Sequence, residues 1–147
     1  VAISLVELCN ALATTIGAAT EVDVVQSYDD LTEGIHDRNL LQVYPNSGNA
    51  DAMGRTDRAS FKGGVRVSAH IIHCDIHVAP ASEIGQDMAE TVAMIDSVWN
   101  KLEEQDVKPY FGQAGIQAWS WRYNYATFVY GAVENRGVRF YVEVWTY

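Results

Sequence analysis

The chain has 147 residues, 48% of them hydrophobic and 20% charged, with three prolines and 11 glycines. That length suits a single domain able to bury a core without a disulfide or metal staple, and the composition excludes disordered, collagen-like and linker-like chains. The formal charge of -9 is uneven, with nine acids against two bases (Arg38 and Arg55) in residues 1–57 and ten acids against eight bases in the rest, so the first third is a poor surface for nucleic-acid phosphate or an anionic membrane.

Ser4-Leu5-Val6-Glu7 has the form of a capping box, in which the Ser hydroxyl takes a backbone N–H three residues on and the Glu reaches back. Leu5, Leu8, Leu12 and Ile16 recur at helical spacing and Gly17 supplies a stop, which predicts a first amphipathic helix. Glu7 lies inside this apolar stretch and no base precedes it, so it is not read as a signal peptide. No apolar run approaches the roughly 20 residues of a membrane span. Residues 18–37 are acidic and mixed, with Val22, Val24 and Val25 hinting at a strand or an extended connection.

Leu40 to Tyr44 reads as a short strand ending at Pro45, followed by a polar stretch rich in Asn, Asp, Ser and Gly. This predicts a long loop at 46–64, and loops of that length are commonly functional. Within it Arg55, Arg58 and Lys62 stand among Asp51 and Asp57. They read either as a solvated charged loop or as a docking arm for an acidic neighbour, such as the first third of an adjacent copy.

Val65 to Val78 alternates and is rich in β-branched residues, a long strand that Pro80 ends. Ser82 is an N-cap candidate, with Glu83, Asp87 and Glu90 near the positive end of the next helix. Ile84, Met88, Val92, Ile95, Trp99 and Leu102 form one helical stripe, which predicts a helix to about Gln105 with this ridge in the core. Pro109 and Gly112 mark a turn, residues 115–130 a second long strand, Gly131–Gly137 a hairpin loop and Val138–Trp145 the returning strand. The order α-β-loop-β-α-β-β predicts a single α+β domain over 1–147, an antiparallel or mixed sheet packed on one face by two helices.

Chemistry is sparse. Cys9 and Cys74 have no CxxC spacing and read as buried free thiols in a reduced compartment. His73, Asp75 and His77 share one face of their strand, while His70 lies on the other with Ile72, Cys74, Ile76 and Val78. Two imidazoles and a carboxylate are first-row metal ligands, which admits a metal-dependent enzyme as an alternative. Residues i and i+4 of a strand lie roughly 13 Å apart, however, so one ion does not reach both histidines without distortion. Trp119, Trp121, Tyr123 and Tyr125 share a face of the next strand. Such a face can stack single-stranded nucleic acid, line a small-ligand pocket, or pack on a helix or a neighbouring subunit. The basic groove that nucleic acid requires is missing, since only Arg122, Arg136 and Arg139 lie nearby, against Glu134 and Glu143. No dinucleotide, P-loop, nucleophile-elbow or HExxH pattern is present. No catalytic residue, cofactor or enzyme activity is assigned.

The order of elements resembles the tail-terminator and neck proteins of tailed bacteriophages, small α+β domains that close the tail tube and join it to the head. The features that carry the likeness are the opening helix, the Leu41-Gln42-Val43-Tyr44-Pro45 strand end and the long loop. A long helix like Ser82–Gln105 and a closing pair of aromatic-rich strands ending in Val138-Arg139-Phe140-Tyr141-Val142-Glu143-Val144 complete it. The resemblance implies a virion protein that forms a homo-hexameric ring. Its implied partners are its own copies and the adjacent tail-tube and head-connector proteins, with DNA passing through the lumen unbound. A ring subunit needs two unlike surfaces that meet head to tail. The acidic first third, with Asp29, Asp30 and Glu33, and the aromatic last third, with Trp119, Trp121 and Tyr123, are candidates for them.

Overall fold

A computed structural model of the chain describes residues 3–29, 31, 39–52, 66–80, 84–113, 115–130 and 133–146. Helix α1 spans Leu5–Gly17 and opens with the anticipated capping box: Ser4 Oγ accepts from the Glu7 N–H at 3.1 Å, and the Ser4 N–H donates to the Glu7 carboxylate at 3.1 Å. Its buried face is Leu8, Cys9, Leu12, Ala13 and Ile16. Leu5, the first residue of the expected stripe, is 37% exposed.

Five strands follow: β1 (Val24–Gln26), β2 (Leu40–Ala52), β3 (Arg66–Pro80), β4 (Ile116–Tyr130) and β5 (Val133–Thr146). Helix α2 (Ile84–Glu104) and a 3₁₀ turn (Tyr110–Gly112) lie between β3 and β4. The sheet order is β1-β2-β3-β5-β4, with β1 parallel to β2 and every other pair antiparallel. The fold is therefore the α+β class expected, with a mixed sheet, and both helices cover one face of it. Leu8, Leu12 and Ile16 of α1 and Met94, Val98 and Leu102 of α2 share a core with the alternate residues of the strands, among them Val43, Ile72, Cys74, Ile76, Phe140 and Val142. The period-two alternation of β3 and β5 produces this division, since each strand sends every second side chain to the helices.

Three expectations need correction. First, the strand ending at Pro45 does not end there. β2 passes through a bulge between Pro45 and Ser47 and stays paired with β3 as far as Ala52. Proline lacks a ladder donor and is accommodated at bulges, and the long β3 supplies a partner for residues whose own composition suggests a loop. The rest of the anticipated loop, with Arg55, Arg58 and Lys62, lies outside the described residues. Second, Gly137 is not in a hairpin loop. It sits inside β5, opposite His77 of β3 and Ala126 of β4. A Cβ at this position would lie 1.8 Å from the Ile76 carbonyl oxygen, so the glycine serves a close approach of strands.

Third, the stripe assigned to the core divides. Thr91, Met94, Val98 and Leu102 are buried and Ile95 and Trp99 pack beside the core, but Met88 is 40% and Val92 49% exposed. The face that meets the sheet is rotated from the one expected, which leaves the Met88–Val92 end of the stripe outside. After α2, Phe111 takes left-handed backbone angles (φ 54°), a costly conformation for a bulky residue. Its buried ring packs edge-on to Trp119 at 4.6 Å.

Candidate functional site

Two features lie away from the helix-covered core: the opposite face of the sheet and its β4 edge. Strand alternation brings His73, Asp75 and His77 to the opposite face, as expected, and all three are buried. Register then aligns them with residues far away in the chain. Asp75 lies beside Gln42 of β2 and Arg139 of β5, while His73 lies beside Tyr44 and Tyr141.

Asp75, with no exposed surface, is held by Arg139 from Nε to Oδ1 at 2.6 Å and from Nη2 to Oδ2 at 3.0 Å. The Tyr44 hydroxyl donates to the same carboxylate and accepts from Arg139 Nη2 at 3.3 Å. Both carboxylate oxygens are thus engaged, and the pair is the bidentate kind that fixes geometry as well as charge. The Asp75 contact also holds the Arg139 guanidinium above its ordinary pKa, against the opposing pull of burial. Around the pair, Gln42 donates to Gln26 at 2.9 Å and its oxygen lies 3.1 Å from His77 Nε2. His77 packs against Phe128 at 4.3 Å between ring centroids, and Arg122 lies over the Tyr141 ring at 3.9 Å. The result is a polar network tying β1, β2, β3 and β5 together across the face away from the helices. It was hidden from sequence reasoning because Tyr44 and Arg139 carry no motif; the one available signal was their odd-even phase relative to Asp75.

The same geometry bears on the metal alternative. Asp75 is committed to Arg139 and Tyr44, and among the described residues no group of three or more His, Cys, Asp or Glu side chains is placed to hold a metal ion. His73 stands edge-on between Tyr44 and Tyr141, at 5.5 and 4.9 Å between ring centroids. Burial lowers its pKa, and the Arg139 charge lowers it further against the opposing pull of Asp75. His77 is lowered from 6.5 to about 4, again chiefly by burial.

Both imidazoles are therefore neutral in the fold at pH 7. Below pH 6.5 the unfolded chain binds protons that the folded chain refuses, so stability falls with pH. For His77 the loss is expected to reach about 3 kcal/mol between pH 6.5 and 4. Urea unfolding across that window checks this, and His77→Gln is expected to flatten much of the slope.

The two thiols are closed to chemistry. Burial pushes Cys9 up to about 11 and Cys74 well above its ordinary value, which leaves little thiolate to react.

The aromatic face of β4 turns toward α2. Trp121 meets Trp99 edge-on at 5.3 Å and stacks on Trp119 at 4.6 Å, so two of the three residues expected at a partner contact pack inward. Tyr123 also touches Trp99, at 6.0 Å, yet remains 43% exposed, and Tyr125 is 41% exposed. Met88, Val92, Ile95 and Trp99 share one face of α2 by helical spacing, so the apolar strip that starts at Tyr123 continues toward Met88. Beyond it, the outer side of β4 has no partner strand among the described residues.

At the other end of the sheet an open groove of about 540 Å³ lies between α1 and β1, lined by residues including Ala13, Gly17, Ala18, Val25 and Ser27. Asp29 is exposed near this end, whereas Asp30 and Glu33 lie outside the described residues. No described helix is long and apolar enough to cross a membrane. Comparison with protein-family models and with curated proteins finds no match for this chain.

Proposed function

We propose that the chain is a structural subunit that assembles with copies of itself into a ring, the role of the phage tail-terminator and neck proteins it resembles. In that role the ring is a hexamer in the virion, seated between the tail tube and the head connector, with DNA passing through its lumen.

The observation that carries the reading is the β4 edge. Natural proteins blunt an open edge with proline, lysine, bulges or shortness, because an uncovered strand templates pairing with another chain. From Ala118 to Tyr130 this edge has no Pro, no Gly and a single charge, Arg122. Its one register shift lies at the start, between Ile116 and Ala118. Beside it Tyr125 and Tyr123, with Val92 and Met88 of α2, offer exposed aromatic and apolar side chains of the kind that interface cores favour. An unguarded edge and an apolar strip side by side are one surface waiting for a partner, and a second copy is the partner always at hand.

Native mass spectrometry with negative-stain microscopy at micromolar concentration tests the reading. Ring particles with masses in multiples of 16.3 kDa are expected, and a stable monomer would contradict it. The double variant Tyr123→Glu/Tyr125→Glu is expected to keep its circular dichroism and lose the assembly.

A further inference from the structure

The two ends of the sheet are unlike. One is β4, long, nearly uncharged and flanked by protruding Tyr123, Tyr125, Met88 and Val92. The other is β1, three residues long, whose outer side has no strand partner among the described residues. Beside β1 lies the open groove against α1, lined largely by small side chains, with Val25 exposed on its wall. The charges differ as well. Residues 1–37, which hold α1 and β1, contain seven acids and no Lys or Arg. Among them Glu7, Glu21, Asp23 and Asp29 are exposed, whereas the one charge on β4 is the exposed Arg122.

We infer that the β4 edge and its apolar strip on one copy dock against the β1 edge and the α1–β1 groove of the next copy, head to tail. The inference rests on the self-assembly proposed above and names the two surfaces that meet. Large side chains then face small ones. Pairing like with like does not achieve this. Two β1 ends together gather the acids of both copies, and two β4 ends together leave both grooves open. Because the mating surfaces lie at opposite ends of one sheet, each copy exposes a fresh end after docking, and repetition closes a ring or grows a filament.

Two single variants and their mixture test the arrangement. Tyr125→Glu spoils only the β4 end and Val25→Glu only the β1 end, and the two introduced acids repel each other if the spoiled ends meet. Each alone is expected to weaken assembly by roughly tenfold or more and run as a monomer in sedimentation. Mixed in equal amounts, the two are expected to form a heterodimer and nothing larger, since one intact β4 end and one intact β1 end remain. If the wild type assembles but the mixture stays monomeric, or if Val25→Glu still dimerises alone, the head-to-tail contact is wrong while self-assembly stands. A monomeric wild type overturns both. Circular dichroism confirms that each variant folds, and Tyr123→Glu with Ser27→Glu provides a second pair.

Discussion

Arg139→Met is expected to cost about 3–5 kcal/mol of folding stability. Asp75 has no exposed surface, and both its oxygens are held by the Arg139 guanidinium. Removing the guanidinium leaves a carboxylate buried in the sheet with the Tyr44 hydroxyl still donating to it, and one neutral donor does not offset the desolvation of a charge. Replacing both partners is the control. Asp75→Asn/Arg139→Met removes the charge together with its counterion and is expected to be more stable than Arg139→Met alone, by at least about 1 kcal/mol. Urea unfolding at pH 7 measures both. A cost below about 1 kcal/mol for the single variant would show that the pair is not the tie across β3 and β5 described above.

Gly137→Ala is expected to be as damaging, about 3 kcal/mol or more, or to yield no folded protein. In an open strand the same change removes unfolded-state freedom and stabilises slightly. Here the new Cβ meets the Ile76 oxygen at 1.8 Å, its carbonyl carbon at 2.9 Å and the Val78 nitrogen at 3.1 Å. All three are backbone atoms of β3, so no rotamer relieves the clash, and the strands must separate beside the bulge between His77 and Ala79. Gly48→Ala makes an informative contrast. Its nearest neighbour is the His70 ring at 2.8 Å, a side chain able to turn, and its cost is expected to be clearly smaller. Thermal melts of the two variants rank them, and equal costs would contradict the close approach assigned to Gly137.

The residues most legible in the sequence were those whose signal is local. The capping box at Ser4 and Glu7 and the alternation of β3 each depend on neighbours a few positions away, and the structure has both. What failed depended on distant partners. Pro45 looked like a strand end because its sequence neighbours are polar, yet β3 carries β2 on to Ala52. Gly137 looked like a turn because glycine usually marks one, whereas its role is set by the Ile76 carbonyl of another strand. The Met88–Val92 end of the α2 stripe has the same periodicity as the buried end, and periodicity says which residues share a face but not how much of that face is covered. The polar face was half visible. His73, Asp75 and His77 announce themselves by spacing, but the Tyr44 and Arg139 contacts that commit Asp75 appear only once the strand order β2-β3-β5 is known.

Amide hydrogen exchange along β4, followed residue by residue at high and low protein concentration, bears most directly on whether this edge is covered by another copy. Alternate N–H groups of an antiparallel edge strand point away from its one neighbour and exchange freely unless something pairs with them. From Ala118 to Tyr130 these outward amides are expected to be protected in the concentrated protein and to lose protection on dilution, while those facing β5 stay protected throughout. Fast exchange of the outward set at every concentration would contradict assembly through this edge.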